Sequence, residues 1–121
     1  MSLLKLILFG AAIAVSGSVS AQYTGPGADG KQYTVAEVKE NAAQLDKSDA
    51  IVKLEGFIVE RINKEDFWFE DESGRVMLEI DKKDMPERPF NDQTKLIIIG
   101  EVDYDVLEEV EIEVEEIHFT D

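Results

Sequence analysis

The stretch IVKLEGFIVERINKEDFWFEDESGRVMLEI, residues 51–80, decides the fold, because apolar and polar residues alternate through three segments. Two turn sequences, NKE at residues 63–65 and DESG at residues 71–74, separate the segments. Alternation at period 2 is typical of strands that bury one face. The stretch therefore predicts a β-meander, and its buried face carries Val52, Leu54, Ile58, Phe67, Phe69, Val76, Leu78 and Ile80.

Two glycines interrupt predicted strands. Gly56 lies in the first strand of the meander, and Gly100 lies in a later alternating segment at residues 95–103. A glycine inside a strand usually marks a bend or a bulge. A long, bent first strand that leads into a tight hairpin indicates a small closed barrel.

A short amphipathic helix is predicted before the meander. Thr34 and Glu37 have the spacing of a capping box, so the helix should begin there and end before residues 46–49. We expect its apolar stripe to close one end of the barrel rather than to bind a partner. The stripe consists of Val35, Val38, Ala42 and Leu45.

The remaining segments complete the fold class. Residues 81–94 contain two prolines and predict a loop with one helical turn. The final segment, EVEIEVEEI at residues 109–117, alternates with valine and isoleucine facing inward and glutamates facing outward. Five strands and one helix predict an all-β domain at residues 34–121, a five-stranded OB-fold barrel with a short N-terminal helix.

The N-terminal residues have the pattern of a secretory signal peptide. Residues 1–21 contain one lysine, a short apolar run and a Val-Ser-Ala ending that fits the small-x-small cleavage rule. Residues 22–33 are rich in glycine and predict an extended lead-in. The chain has no cysteine, so we expect a bacterial periplasmic protein that relies on its core rather than on disulfides.

The mature chain is strongly acidic. The chain has 27 acidic and 12 basic side chains, and removal of the signal peptide with its lysine leaves 11 basic ones, a net charge of −16. Such a protein repels phosphate backbones, so nucleic-acid binding is disfavoured.

The residues of common catalytic centres are sparse. There is no cysteine, His118 is the single histidine, and the mature chain holds only Ser48 and Ser73. Ser73 and Asp71 are expected to shape the hairpin turn. We therefore predict no catalytic residues, no metal site, no cofactor and no enzymatic activity.

Two groups of residues remain as candidates for ligand binding. The first is the outer face of the second and third strands, where OB-folds generally hold ligands. An aromatic ring among carboxylates, with Arg75 as the nearby basic exception, favours a cationic ligand. Burial of the tryptophan under a loop is the alternative. The residues of this group are Trp68, Glu70, Met77 and Glu79.

The second group is the row of outward glutamates on the last strand, Glu109, Glu111, Glu113 and Glu115. Their side chains recur about every 7 Å, within the Debye length of about 8 Å, so they repel one another unless cations offset their charge. Lys53, Arg61 or Lys95 are possible internal partners. The alternatives are a solvated strand that discourages aggregation and a site for a polyamine, a cationic peptide or a loosely held divalent metal.

In this order and spacing, several segments resemble the bacterial OB-fold (BOF) family, the small periplasmic proteins of the YgiW/YdeI type. They are QYTGP at 22–26, VKLEGFIV at 52–59, FWFEDESG at 67–74, LEID at 78–81 and GEVDYD at 100–105. The chain departs from similar proteins after the third strand, where Met85, Pro86, Pro89 and Phe90 stand in place of a tryptophan and a glycine-containing turn.

The resemblance implies a periplasmic OB barrel that binds cationic ligands and contributes to tolerance of oxidants, acid, metals and cationic antimicrobial peptides. The expected partner is a cationic peptide or small cation, with an envelope protein as a further possibility. The alternative is an interaction module that docks on an outer-membrane protein or a cell-wall saccharide.

Overall fold

Five strands form a closed barrel in the computed structural model, which describes residues 31–121. The strands are β1 (Ile51–Arg61), β2 (Asp66–Asp71), β3 (Gly74–Glu79), β4 (Leu96–Asp103) and β5 (Glu111–Phe119). Their order around the barrel is β1-β2-β3-β5-β4, and every neighbouring pair is antiparallel except β3 with β5. The predicted five-stranded barrel is confirmed. The predicted signal peptide lies outside the described residues.

The core consists of the inward positions of all five strands. Each of the eight meander residues predicted to face inward is at most 7% exposed. Ile112 and Val114 of β5 are also buried, and Val110, just before that strand, packs against the core while partly exposed. The period-2 pattern therefore predicted the inner face correctly.

Two short helices close one end of the barrel. They are α1 (Val35–Glu40) and α2 (Ala42–Lys47), and they meet at Asn41, whose backbone dihedral angles are not helical. All four residues of the predicted apolar stripe are buried in the core, so that prediction is confirmed. The helical segment extends to Lys47 rather than ending before residue 46.

Side chains of the β2–β3 turn hold the start of α1. Asp71 accepts a hydrogen bond from the Val35 amide at 2.9 Å, and Ser73 Oγ accepts one from the Ala36 amide at 2.9 Å. The other carboxylate oxygen of Asp71 accepts from the Ser73 amide at 2.7 Å, which confirms the predicted role of Asp71 in the turn. Two amides of the first helical turn, which lack partners within a helix, are thereby satisfied.

The capping box at Thr34 gives a first testable prediction. Thr34 Oγ1 accepts from the Glu37 amide at 3.1 Å, and the Glu37 carboxylate accepts from the Thr34 amide at 2.9 Å. Thr34→Ala should lower the free energy of unfolding by about 1 kcal/mol in urea titrations, because one helical amide loses its acceptor. The control is Ser48→Ala, which removes a hydroxyl at the other end of the helical segment. Equal losses in the two variants would contradict the prediction.

Both predicted bends coincide with close approaches of the backbone. A β carbon on Gly56 would lie 2.5 Å from the Glu70 carbonyl oxygen and 2.8 Å from the Phe69 ring. Gly100 adjoins a bulge that shifts the β4–β5 register between Ile99 and Gly100. Glycine is needed at both positions because a side chain would overlap a neighbouring strand.

The β3–β4 connection holds one 3-10 turn, Lys82–Asp84, as the sequence predicted. Two of its later residues, Met85 and Phe90, pack against the edge of the core. The Phe90 ring makes an edge contact with Phe119, with 6.4 Å between centroids. Within residues 31–121, neither helix has the length and apolar character needed to cross a membrane.

Candidate functional site

The outer face of β2 and β3 brings together the first group of predicted site residues. Trp68 lies opposite Met77, and Glu70 lies opposite Arg75, as neighbours across the two strands. Trp68 and Met77 are both half-buried, so the alternative of a fully buried tryptophan does not hold. The face therefore presents an aromatic ring and a thioether side by side.

Arg75 occupies this face as an internal cation. Its guanidinium carbon lies 5.3 Å from the centroid of the Trp68 ring, and its Nη2 lies 3.1 Å from the Glu70 carboxylate. A guanidinium over an indole face is stabilised by the ring quadrupole. The arrangement shows that an aromatic ring and a carboxylate on this face hold a cationic group between them.

Three carboxylates converge beside this pair. Asp66, Glu79 and Glu111 come from β2, β3 and β5, and one oxygen of each lies within 4.8 Å of the others. The closed barrel explains the convergence, since Asp66 lies opposite Glu79 and β5 runs parallel beside β3. Within residues 31–121, none of the three forms an ion pair with a lysine or arginine.

The pKa values of two members of this acidic cluster, Glu79 and Glu111, are raised. Partial burial, followed by the charges of Glu79, Asp66 and Asp103, raises the pKa of Glu111 to about 7. Burial and the charge of Glu113 likewise raise the pKa of Glu79. Each shift records the cost of placing a negative charge near others away from water, a cost that an added cation would offset.

The predicted glutamate row divides into separate environments. Glu109 precedes β5 and is exposed, whereas the sequence placed it within the strand. Glu111 joins the acidic cluster, and Glu113 is exposed beside Glu79. Burial raises the pKa of Glu115. The negative charge of Glu101 and a hydrogen bond between the Glu101 and Glu115 carboxyl groups raise this pKa further. The row is therefore not one uniform surface.

Two of the three proposed internal partners of the row have contacts elsewhere. The Lys95 ammonium lies 3.9 Å from Glu55 on β1. The Arg61 guanidinium donates to the Asn63 carbonyl at 3.0 Å and lies over the Phe67 ring. Lys53 is on β1, where it lies opposite Ile99 of β4. These contacts leave the excess negative charge of the acidic cluster in place.

Asp66 was absent from the predicted site, although the sequence contained a signal for it. It precedes Trp68 by two positions, so strand alternation places both side chains on the same face. Asp66 also accepts a hydrogen bond from Asn63 Nδ2 at 2.8 Å, which fixes its carboxylate beside the β1–β2 turn. Carboxylate oxygens are the donors that Ca²⁺ and Mg²⁺ prefer, so the acidic cluster is where a divalent ion would be held.

Comparison with known proteins agrees with this architecture. The model of the bacterial OB fold (BOF) protein family matches residues 14–119. The chain is 38% identical over 101 residues to the calcium-regulated OB-fold protein CarO of Pseudomonas aeruginosa, covering 83% of each chain. It is 36% identical to the solved hypothetical protein ygiW from E. coli, with a TM-score of 0.64 over 81% of this chain and 97% of that one.

A more distant structure shares the fold alone. Asparaginyl-tRNA synthetase from Pyrococcus horikoshii matches with 22% identity and a TM-score of 0.59, over 74% of this chain and 23% of that one. The family match covers most of the sequence and includes all five strands of the barrel. The chain therefore belongs to the bacterial OB fold (BOF) family.

Proposed function

We propose that this chain is a non-enzymatic periplasmic binding protein that takes up cationic ligands on the outer face of β2, β3 and β5. The observation that carries the proposal is Arg75, the chain's own cation, held between the Trp68 ring and the Glu70 carboxylate. Binding of such ligands would contribute to tolerance of envelope stress, including oxidants, acid, metals and cationic antimicrobial peptides.

The charges next to Arg75 support a cationic ligand. The acidic cluster lies on the same face, and an arriving ammonium, guanidinium or divalent ion would relieve the repulsion among its carboxylates. The formal net charge of −15 for the whole chain adds long-range attraction for cations and raises their association rate. The name of the Pseudomonas aeruginosa relative, a calcium-regulated protein, is a reason to include Ca²⁺ among the probes.

The test is a calorimetric titration of the mature protein with an arginine-rich peptide, spermidine and Ca²⁺ in turn. We expect binding of a cation that weakens steeply as the Debye length falls from about 30 Å to about 8 Å. The variant Asp66→Asn/Glu79→Gln/Glu111→Gln should lose about tenfold or more in affinity.

The matched control removes the same number of charges elsewhere, in the variant Glu40→Gln/Glu72→Gln/Glu87→Gln. These three side chains are exposed and lie outside the acidic cluster. If both triple variants lose affinity equally, the net charge rather than this face attracts the ligand. If none of the three probes binds, the proposal is wrong.

A second candidate function is docking on an outer-membrane protein or a cell-wall saccharide through Trp68. The half-buried state of the ring favours it, because part of the indole remains available for stacking. Stacking of this kind should tolerate salt. Pull-down from envelope extract that survives high salt but is lost in Trp68→Ala would favour docking over cation binding.

A further inference from the structure

The guanidinium of Arg75 occupies the place that a ligand cation would take on the outer face, between the Trp68 ring and the Glu70 carboxylate. A ligand reaches the ring and the carboxylate together only after the Arg75 side chain has moved away. The strength with which Arg75 is held therefore decides whether this place is closed to a ligand or open to it.

The hydrogen bonds between Arg75 and Glu70 are long and use one carboxylate oxygen. Nε of Arg75 lies 3.4 Å and Nη2 lies 3.1 Å from the same atom, Glu70 Oε2. Charge-assisted hydrogen bonds between nitrogen and a carboxylate are usually about 2.7 to 2.9 Å long, and the best arginine pairs use both oxygens. Arg75 is therefore a poorly fitted partner for Glu70.

Arg88 forms a well-fitted pair of the same kind and serves as a comparison within the chain. Its Nη1 lies 3.0 Å from Asp121 Oδ1, and its Nη2 lies 2.6 Å from Asp121 Oδ2. Its guanidinium carbon is 4.2 Å from the centroid of the Phe119 ring, whereas that of Arg75 is 5.3 Å from the centroid of Trp68. Arg75 thus makes longer contacts than Arg88 with both the carboxylate and the ring.

Removal of the Arg75 side chain from the ring costs little. The side chains of Arg75 and Glu70 are each 45% exposed, and exposed ion pairs contribute little because water solvates both charges. The backbone of Arg75 is held independently of its side chain. It pairs with Glu70 across the strands, and its carbonyl accepts a hydrogen bond from Lys39 Nζ at 3.0 Å. The side chain can therefore leave without disturbing β3.

The vacated place fits the side chain of an arginine from another molecule. Such a guanidinium is not tethered to β3, so it can bind both oxygens of Glu70 while it stacks on Trp68. Its methylene stem can contact Met77, which is half-buried opposite Trp68. A lysine ammonium is a compact, strongly hydrated charge without the planar fork, and it fits this place less well.

Given the proposed function, on which this step rests, we propose that the ligand is an arginine side chain of a peptide and that Arg75 is an internal competitor, which the guanidinium of the ligand displaces. A further basic residue of the peptide would lie towards the acidic cluster, because Asp66 is two positions before Trp68 on the same face. Only molecules in which Arg75 has left the ring can bind, so the apparent affinity is lowered by their fraction.

The test is a calorimetric titration of the mature protein with two blocked hexapeptides, one of alternating arginine and glycine and one of alternating lysine and glycine. Arg75→Gln should bind the arginine peptide about fivefold or more tightly than the parent, because the internal competitor is absent. Both proteins should prefer the arginine peptide to the lysine peptide. The gain should disappear in Glu70→Gln/Arg75→Gln, whose net charge equals that of the parent.

Arg88→Gln is the matched control, since it removes the same charge from a pair of the same kind and should leave binding unchanged. Displacement has its own readout in the nuclear magnetic resonance signal of the Arg75 Nε–H, identified by its absence in Arg75→Gln. The ring current of Trp68 shifts this signal in the free parent protein. Binding of the arginine peptide should move it to the position of a solvated arginine.

Three results would overturn the inference and leave the proposed function standing. The first is a parent protein that binds the arginine peptide at least as tightly as Arg75→Gln does. The second is an equal gain in Arg75→Gln and Arg88→Gln, which would assign the effect to net charge. The third is equal binding of the two peptides by Arg75→Gln, which would contradict the ligand class. If neither protein binds either peptide, the inference is also wrong, and the titrations with spermidine and Ca²⁺ test the proposed function separately.

Discussion

Gly100→Ala is expected to destabilise the barrel by about 3 kcal/mol, because there is no room for a side chain where β4 meets β5. A β carbon at this position would overlap the carbonyl oxygen of Glu113 and lie 3.0 Å from the Val114 Cα. These are backbone atoms, which cannot rotate away as a side chain can. The strain has to be relieved by separating the two strands or by shifting their register.

The measurement is urea unfolding followed by fluorescence of Trp68, the chain's only tryptophan. Glu87→Ala is the control, since this exposed residue should tolerate alanine within about 0.5 kcal/mol. If Gly100→Ala does not accumulate as folded protein, loss of its far-ultraviolet strand signal gives the same answer. A free energy of unfolding within 1 kcal/mol of the parent value would contradict the prediction.

The same substitution should disturb the acidic cluster. Glu111 reaches Asp66 and Glu79 because β5 pairs with β4 on one side and with β3 on the other. A shift of β5 would move Glu111 relative to the two carboxylates on β2 and β3. Gly100 is therefore a structural residue on which the geometry of the candidate site depends.

The inner face of the barrel was predictable because alternation is a local property of the sequence. Phe67 and Phe69 had to face the same way, and the outward position of Trp68 followed from their burial. The capping box at Thr34 was equally local, since it depends on two residues three positions apart. These features needed no knowledge of which strands are neighbours.

The acidic cluster was only partly predictable, since it depends on how the barrel closes. Alternation places Asp66 on the outer face, but only the parallel pairing of β3 with β5 brings Glu111 beside it. At the bulge, Ile99 pairs with Glu116 and the next residue, Gly100, pairs with Val114. The β4–β5 register therefore changes midway along β5. A period-2 pattern in one strand contains no information about a bulge between two strands.

The packing of the β3–β4 connection was not predictable for a related reason. The sequence indicated a loop with one helical turn, and the structure contains that turn. The position of Phe90 depends on its contact with Phe119, which lies far along the chain at the end of β5. Such contacts follow from the assembled fold rather than from the composition of the loop.

The stability of the protein should fall as the pH rises from about 4.5 to about 7, and Glu111→Gln should remove much of this dependence. The pKa of Glu111 is raised from its ordinary 4.5 to about 7 in the folded chain. Within this window the folded state retains a proton that the unfolded state has released. Stability is therefore greatest below the window and is lost as the pH passes through it.

The expected difference between the parent and Glu111→Gln is about 1 to 2 kcal/mol at pH 8, after allowance for solvent screening of this partly exposed carboxylate. The variant should be the more stable protein at pH 8, and the difference should shrink towards pH 4.5, where the parent carboxyl is largely protonated. Asp66, Glu79, Asp103 and Glu113 surround Glu111, and the raised pKa of Glu79 adds a smaller dependence of the same sign in both proteins.

Urea titrations at several pH values test this prediction, with Glu87→Gln as the control. Glu87 is exposed and lies outside the acidic cluster, so its replacement removes one charge without removing a partly buried carboxylate. Equal gains in the two variants would show that net charge alone is responsible. If the free energy of unfolding of the parent protein is constant or rises between pH 4.5 and pH 7, the prediction is wrong. Ionisation of the acidic cluster would then not destabilise the fold.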